Sequence, residues 1–245
     1  MRAVILVPRR ADGGRRDDLW TFTRAWLTRH HPQFEIFEGE SPEGPFNRGA
    51  AINAAARAAG DWDVAIVHDG DNIVAPAMLE QAVREAHQTG ITRIAHDTYM
   101  YLDRQSSDEI LARPDGPWWP RPQIYSVPTP GDKRSGYEPY VIHKHVSGVV
   151  VVPRPVWAAT NGFVELTGWG AEDSFHIVLC NSLGGGVEWV RGTGLHLFHD
   201  HAPADIAREL RRANRRTMLA AKELEARGDI RGLKRYLADL GHRVP

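Results

Sequence analysis

The chain has 245 residues, 42% of them hydrophobic and 25% charged, with 30 Lys and Arg against 31 Asp and Glu. This is enough for one sizeable core, and a net charge of −1 gives no global field toward nucleic acid or anionic membranes. One cysteine, Cys180, excludes an internal disulfide; there is no run of about 18 apolar residues to span a membrane, so a soluble, cytoplasmic protein is expected.

Residues 3–7 form an apolar run of strand type stopped by Pro8, after which Arg9, Arg10, Arg15 and Arg16 surround the Gly13-Gly14 turn. Leu19, Phe22, Thr23, Trp26 and Leu27 recur at helical spacing, and residues 34–37 read as a second strand. Asn47 can cap the alanine-rich helix that Gly60 closes. Val64, Ile66 and Val67 then belong to a short strand buried on both faces, which ends in Asp69-Gly70-Asp71. Ligands of α/β sheets gather at the carboxyl ends of strands. Two carboxylates there, with Gly70 allowing a sharp turn between them, can hold a hard divalent cation and leave positions for a diphosphate. An Asx-type turn is the plainer alternative.

Pro76 opens a helix that runs to about Gln88 and stops at Gly90, and one more strand is expected within residues 91–101. The order β-α-β-α-β-α-β predicts an α/β fold with helices on both faces of a mostly parallel sheet. Residues 103–144 change character: they hold seven of the 16 prolines together with Trp118, Trp119, Tyr125, Tyr137 and Tyr140, and read as a long binding loop or lid. A buried strand follows at 147–153, then a short helix at 156–160 and the turn Asn161-Gly162. Gly168-Trp-Gly-Ala-Glu-Asp173 feeds a helix over 174–183, with strands at 187–190 and 195–198 beyond it. The second of these carries His196 and His199, with His201 just after. Residues 204–240 form a charged helical tail, with a thin leucine stripe and a basic face of Arg208, Arg211, Arg212, Arg215 and Arg216. Docking on the domain, pairing of two copies as a homodimer through these helices, and contact with an anionic partner are its open roles, against a plain solvated face.

Several separated segments together resemble the glycosyltransferase-A fold, a Rossmann-like single domain, in the family 2-like branch that includes the β-1,4-galactosyltransferases and polypeptide N-acetylgalactosaminyltransferases. Val7-Pro-Arg-Arg10 is similar to a Pro-x-Arg loop on the uridine nucleotide, and Phe46-Asn-Arg48 with Asn53 to a Phe-Asn-Arg-x-x-x-x-Asn donor segment. Asp69-Gly-Asp71 stands at the metal-binding Asp-x-Asp. Ser147-Gly-Val149, Asn161-Gly-Phe163 and Gly168-Trp-Gly-Ala-Glu-Asp173 resemble the Gly-Gly-Val, Asn-Gly-Phe and Trp-Gly-Trp-Gly-Gly-Glu-Asp series. The resemblance covers roughly residues 1–205, the expected catalytic domain, and leaves 206–245 as a helical extension.

The resemblance implies a UDP-sugar donor on Pro8, Arg9, Arg10, Phe46, Asn47, Arg48, Asn53, Asp69 and Gly70, with Trp169 offering a flat apolar face to a sugar. It implies Asp173 as the base that takes the acceptor hydroxyl's proton and Glu172 as its acceptor-binding neighbour; read without it, both are ordinary first-turn acids favoured by the helix dipole. It implies a divalent metal, manganese or magnesium, on Asp69 and Asp71, completed by His199 ahead of His196 and His201. Leu195-His-Leu-Phe-His199 overlays a Met-x-x-His pair, so an imidazole replaces a thioether, and strand alternation would put His196 on the face opposite His199 unless the strand has ended. Thr167-Gly168 replaces the first Trp-Gly, removing one wall of the acceptor pocket.

The expected reaction is inverting transfer of a hexose or N-acetylhexosamine from a UDP-sugar to the hydroxyl of a glycan, protein or small molecule. A retaining transferase, a nucleotidyltransferase and a non-catalytic carbohydrate-binding protein are the alternatives.

Overall fold

The computed structural model describes residues 1–126, 137–168, 170–200 and 204–245. In chain order the elements are β1 (Ala3–Pro8), α1 (Arg15–His30), β2 (Glu35–Gly39), α2 (Arg48–Ala59), β3 (Val64–His68), β4 (Asn72–Ile73), α3 (Pro76–Thr89), β5 (Thr92–Ile94) and β6 (Thr98–Tyr101). Then come α4 (Arg104–Ala112), β7 (Ile124–Ser126), β8 (Tyr137–Pro139), β9 (Val141–His143), β10 (Val149–Pro153), α5 (Arg154–Thr160), α6 (Glu172–Leu183), β11 (Val187–Trp189), β12 (Thr193–His196), α7 (Ala204–Ala226) and α8 (Ile230–Asp239).

The main sheet has the order β11-β5-β10-β3-β1-β2, with β10 antiparallel to both neighbours and the other pairs parallel. Its central strands are buried at every position and apolar except at His68, because successive side chains feed opposite cores. Ile5, Val7, Ile66 and Val151 pack with Trp20 and Leu27 of α1 and Leu79 and Val83 of α3. Leu6, Ala65, Val67 and Val150 pack with Ile52 and Ala55 of α2 and with Val156, Phe163 and Cys180. A smaller sheet, β4-β12-β6-β9, begins where β3 ends. It brings β12 alongside the residues that follow Asp71, with His196 opposite Asn72.

Three local expectations are corrected. Residues 91–101 hold two strands in different sheets, because the chain leaves the main sheet at the buried His96 and starts the small one at Thr98. Residues 103–144 are not a featureless loop: Asp103 caps α4 by accepting from the Ser106 amide at 2.6 Å, and Ile110 and Trp118 join a core with Leu19, Ile73, Leu102 and Leu197. Only Ile110 and Leu111 in α4 are large and apolar, too few for a visible period. The last strand ends at His196, two residues earlier than expected.

The tail turns back onto the domain. Ala221, Leu233 and Leu237 share a core with Val164, Leu166, Phe175, Val178 and Leu179, so α7 and α8 pack on α6. Among the described residues no helix is long and apolar enough to cross a membrane. Leu237→Ala should lower unfolding stability by about 2–5 kcal/mol in urea titrations, as expected for a fully buried leucine. Leu240→Ala, at a position 41% exposed, should stay within about 0.5 kcal/mol; equal effects would mean that the tail is not docked.

Candidate active site at the end of β3

The peptide after β3 is held by main-chain bonds: the Asp69 amide donates to the Gly148 carbonyl at 2.9 Å, and the Leu197 amide to the Asp71 carbonyl at 2.8 Å. Gly70 lies outside the left-handed region, so a sharp turn is not what requires it; a Cβ there would come within 3.3 Å of the Trp20 ring. Gly148 is left-handed at φ +93°, and a Cβ would meet Tyr99 at 2.8 Å. Glycine is therefore needed at 148, while at 70 a side chain would press on the Trp20 ring.

The two carboxylates face different partners. Asp69 Oδ1 accepts from Arg48 Nε at 2.9 Å and Nη2 at 2.7 Å. Arg48 Nη1 donates to Asp173 Oδ1 at 2.5 Å and lies 3.8 Å from Glu172 Oε1. The guanidinium is buried; desolvation disfavours its charge, but Asp173, Asp69 and Glu172 outweigh this and raise its pKa. Arg48 is placed by the start of α2, where Asn47 accepts from the Ala50 amide at 3.0 Å.

Asp71 instead meets the histidines. His199 Nε2 lies 3.1 Å from Asp71 Oδ2 and His196 Nε2 3.9 Å from it. One ligand atom from each of Asp71, His196 and His199 lies within 4.8 Å of the others. Because β12 ends at His196, strand alternation does not separate the two rings, and both reach Asp71. His199 Nδ1 is 3.0 Å from the Asp200 carbonyl, so a proton on Nδ1 donates there while an Nε2–H donates to Asp71; a cation bound at Asp71 would take the Nε2 lone pair in place of that second proton. Arg16 Nη2 is 3.5 Å from the same Nδ1. One carboxylate and two imidazoles form a donor set suited to a first-row divalent cation such as manganese, and these residues fit one. His201 and Trp169 lie outside the described residues.

Sequence reasoning missed the supports of this group. Asn72 Nδ2 donates to Asp71 Oδ1 at 2.8 Å, and the buried Tyr99 hydroxyl donates to Asn72 Oδ1. Tyr99 stacks on His145 at 4.6 Å, and Tyr101 packs on His196 at 4.6 Å. Asn72 stands beside Asp71 in sequence and was findable. Tyr99 and Tyr101 come from β6 through sheet pairing, which leaves no local signal.

Glu172 and Asp173 open α6 directly after Ala171, which is left-handed at φ 76°. Burial pushes the Asp173 carboxyl up; Arg48 opposes this, while Glu172 and Asp69 add to it. Glu172 is 4% exposed, and its Oε2 has no hydrogen-bond partner among the described residues. The other donor-side residues are engaged within the protein. Arg9 pairs with Asp17 at 2.5 Å and Glu38 at 2.9 Å. Arg10 binds the Gly44 carbonyl at 2.6 Å and lies 5.6 Å from the Phe46 ring. Asn53 bonds both ways to the Phe163 backbone, at 2.8 and 3.0 Å, and so ties α2 to the Asn161-Gly-Phe163 segment. Pro8 closes β1.

The chain matches no protein-family model and no curated protein. Its fold is similar to that of glucosyl-3-phosphoglycerate synthase from Mycobacterium tuberculosis, solved with Mn2+, UDP-glucose and phosphoglyceric acid, at 15% identity and a TM-score of 0.50, covering 90% of this chain and 79% of that one. A variant of Drosophila β-1,4-galactosyltransferase 7, solved with manganese, UDP-Gal and xylobiose, aligns at 18% identity and a TM-score of 0.49, covering 82% of this chain and 72% of that one. At these identities the likeness is one of fold, and the fold is the glycosyltransferase-A fold expected above.

Burial lowers the pKa of His199, but the hydrogen bond and charge of Asp71 outweigh it and the net shift is upward. Burial likewise raises Asp71, yet His196, His199 and Arg16 hold it well below the usual carboxylate range. In the metal-free protein the His199 contribution to stability is therefore full below about pH 6.5 and fades as pH rises through the raised value. The Asp71 contribution is present above about pH 3.9 and fades as pH falls through the depressed value. NMR titration of metal-free protein should give His199 a pKa above about 6.5 that falls in Asp71→Asn; an unchanged value would dissolve the pair.

Proposed function

We propose that the protein is a metal-dependent glycosyltransferase that moves a hexose or N-acetylhexosamine from a UDP-sugar to an acceptor hydroxyl. The observation that carries this reading is the convergence of Asp71, His196 and His199 at a strand end, with the Arg48-held Asp173 beside it. Support comes from the fold shared with a synthase solved with Mn2+ and UDP-glucose.

Asp71, His196 and His199 would hold the divalent cation, a donor set open to several first-row metals, with manganese favoured by the Mn2+ in the synthase of the same fold. When bound, it supplies positive charge to the diphosphate leaving group. Asp69 stays with Arg48 and, with Gly70, faces the donor sugar. Pro8, Arg9, Arg10, Phe46 and Asn47 form the rim on the uridine side, and Asn53 braces it.

Asp173 is the base in an inverting displacement. The acceptor oxygen bonds to the sugar anomeric carbon as the bond to the diphosphate breaks, and the acceptor proton passes to Asp173. A buried carboxylate with a raised pKa is the stronger base, so activity rises with pH through that value. Arg48 keeps the carboxylate aimed, and the unpaired Oε2 of Glu172 accepts a second acceptor hydroxyl.

Incubation with manganese and a panel of UDP-sugars should release UDP rather than pyrophosphate. Asp173→Asn should lower turnover about 10²–10⁴-fold and leave manganese-dependent UDP binding in place. Pyrophosphate release would point to a nucleotidyltransferase, and an NMR-determined product of retained anomeric configuration would remove the role given to Asp173.

A further inference from the structure

The first turns of α7 read Arg208-Glu-Leu-Arg-Arg-Ala-Asn-Arg-Arg216, five arginines against one glutamate. Arg208, Arg211, Arg212 and Arg215 fall on one face of the helix at i, i+3, i+4 and i+7, and all four are exposed. The adjoining face, with Asn214, Met218 and Ala221, packs on the domain, and Arg211 lies at the edge between the two. Several surface arginines elsewhere have carboxylate partners, among them Arg9 with Asp17, Arg104 with Asp200 and Arg121 with Glu109. Arg208, Arg212 and Arg215 have none among the described residues.

This row borders the loop that leads to Asp173. Asn214 Nδ2 donates to the Thr167 carbonyl at 3.2 Å. Leu210 covers Gly168, where a Cβ would come within 2.8 Å of its side chain, and Arg211 covers Gly170, where a Cβ would lie 3.3 Å from Arg211 Cγ. Gly168 and Gly170 are left-handed, at φ +83° and +103°, so the loop is bent under the helix. Arg211 thus packs on a residue only three positions before the base.

We propose that the acceptor carries a phosphate monoester, held by Arg211 with Arg208 and Arg215 while its hydroxyl faces Asp173. This rests on the glycosyltransferase reading and names the substrate class for its acceptor side. A guanidinium binds phosphate through two parallel hydrogen bonds, and neighbouring arginines at helical spacing offer several such donors. The phosphate takes no part in the bond changes: the acceptor oxygen joins the anomeric carbon, UDP leaves, the proton goes to Asp173, and the monoester remains intact. A membrane-lying helix would set several apolar anchors beside its basic row. Here the apolar side of α7 is used on α6, and Leu219 is the only exposed large apolar residue of the helix among the described side chains.

The test is calorimetry on the full chain with manganese and UDP, using inorganic phosphate, glucose 6-phosphate and glucose as probes. Glucose 6-phosphate should bind at least tenfold more tightly than glucose, and the advantage should shrink with salt. The double variant Arg211→Gln/Arg215→Gln should lose that advantage at an unchanged unfolding temperature, while Arg231→Gln on α8 retains it. Equal binding of glucose and glucose 6-phosphate, or no effect of the double variant, overturns the proposal. So does capture by phosphatidylglycerol vesicles through these arginines without glucose 6-phosphate binding. Absence of manganese-dependent UDP binding in the wild type sinks the donor reading and this proposal together; UDP binding without arginine-dependent phosphate binding sinks this proposal alone.

Discussion

The buried guanidinium of Arg48 is the contact on which the site depends. It joins the first turn of α2, the end of β3 and the first turn of α6 through two bonds to Asp69 and one to Asp173. A buried ion pair adds little net stability relative to a well-packed apolar replacement, but removing one partner costs about 3–5 kcal/mol because a charge is left uncompensated. With three carboxylates around one guanidinium, such a loss would disturb all three elements together. The approach that makes this possible is close: a Cβ on Gly49 would come within 2.3 Å of the Val164 carbonyl, so only glycine lets α2 sit this near the segment before α6.

With Asp69 taken by Arg48, the other carboxylate of Asp69-Gly-Asp71 is left for a different task. Asp71 is oriented by Asn72, which the Tyr99 hydroxyl fixes in turn, and it faces two imidazoles brought in by the smaller sheet. The strand end thus divides into a half that holds the proposed base and a half whose donor atoms suit a cation. The base half is built from the first turns of α2 and α6 and the cation half draws on β12 of the smaller sheet, and the peptide after β3 is where they meet.

The main sheet was readable in the sequence because its central strands are buried on both faces, so their runs are almost wholly apolar; the cap at Asn47 and the stop at Gly90 were readable because helix ends carry local chemistry. The helix α4 was not, since its nine residues carry apolar side chains only near one end. Asp71, His199, Glu172 and Asp173 were visible as candidates through motif resemblance. Their pairings were not: Arg48, itself a donor-side candidate, meets Asp173 across 125 positions and Tyr99 meets Asn72 across 27, through packing that no local pattern records. The reach of His196 to Asp71 was likewise hidden by the expectation of a longer strand.

The division of labour between the two aspartates is tested most directly by manganese binding, followed by electron paramagnetic resonance, in Asp69→Asn and Asp71→Asn at matched folded fractions. The account predicts that Asp71→Asn loses manganese affinity by at least about tenfold, the usual scale for disturbing a metal's coordination, and that Asp69→Asn stays within a few-fold of wild type. Loss of manganese in Asp69→Asn with retention in Asp71→Asn would contradict it.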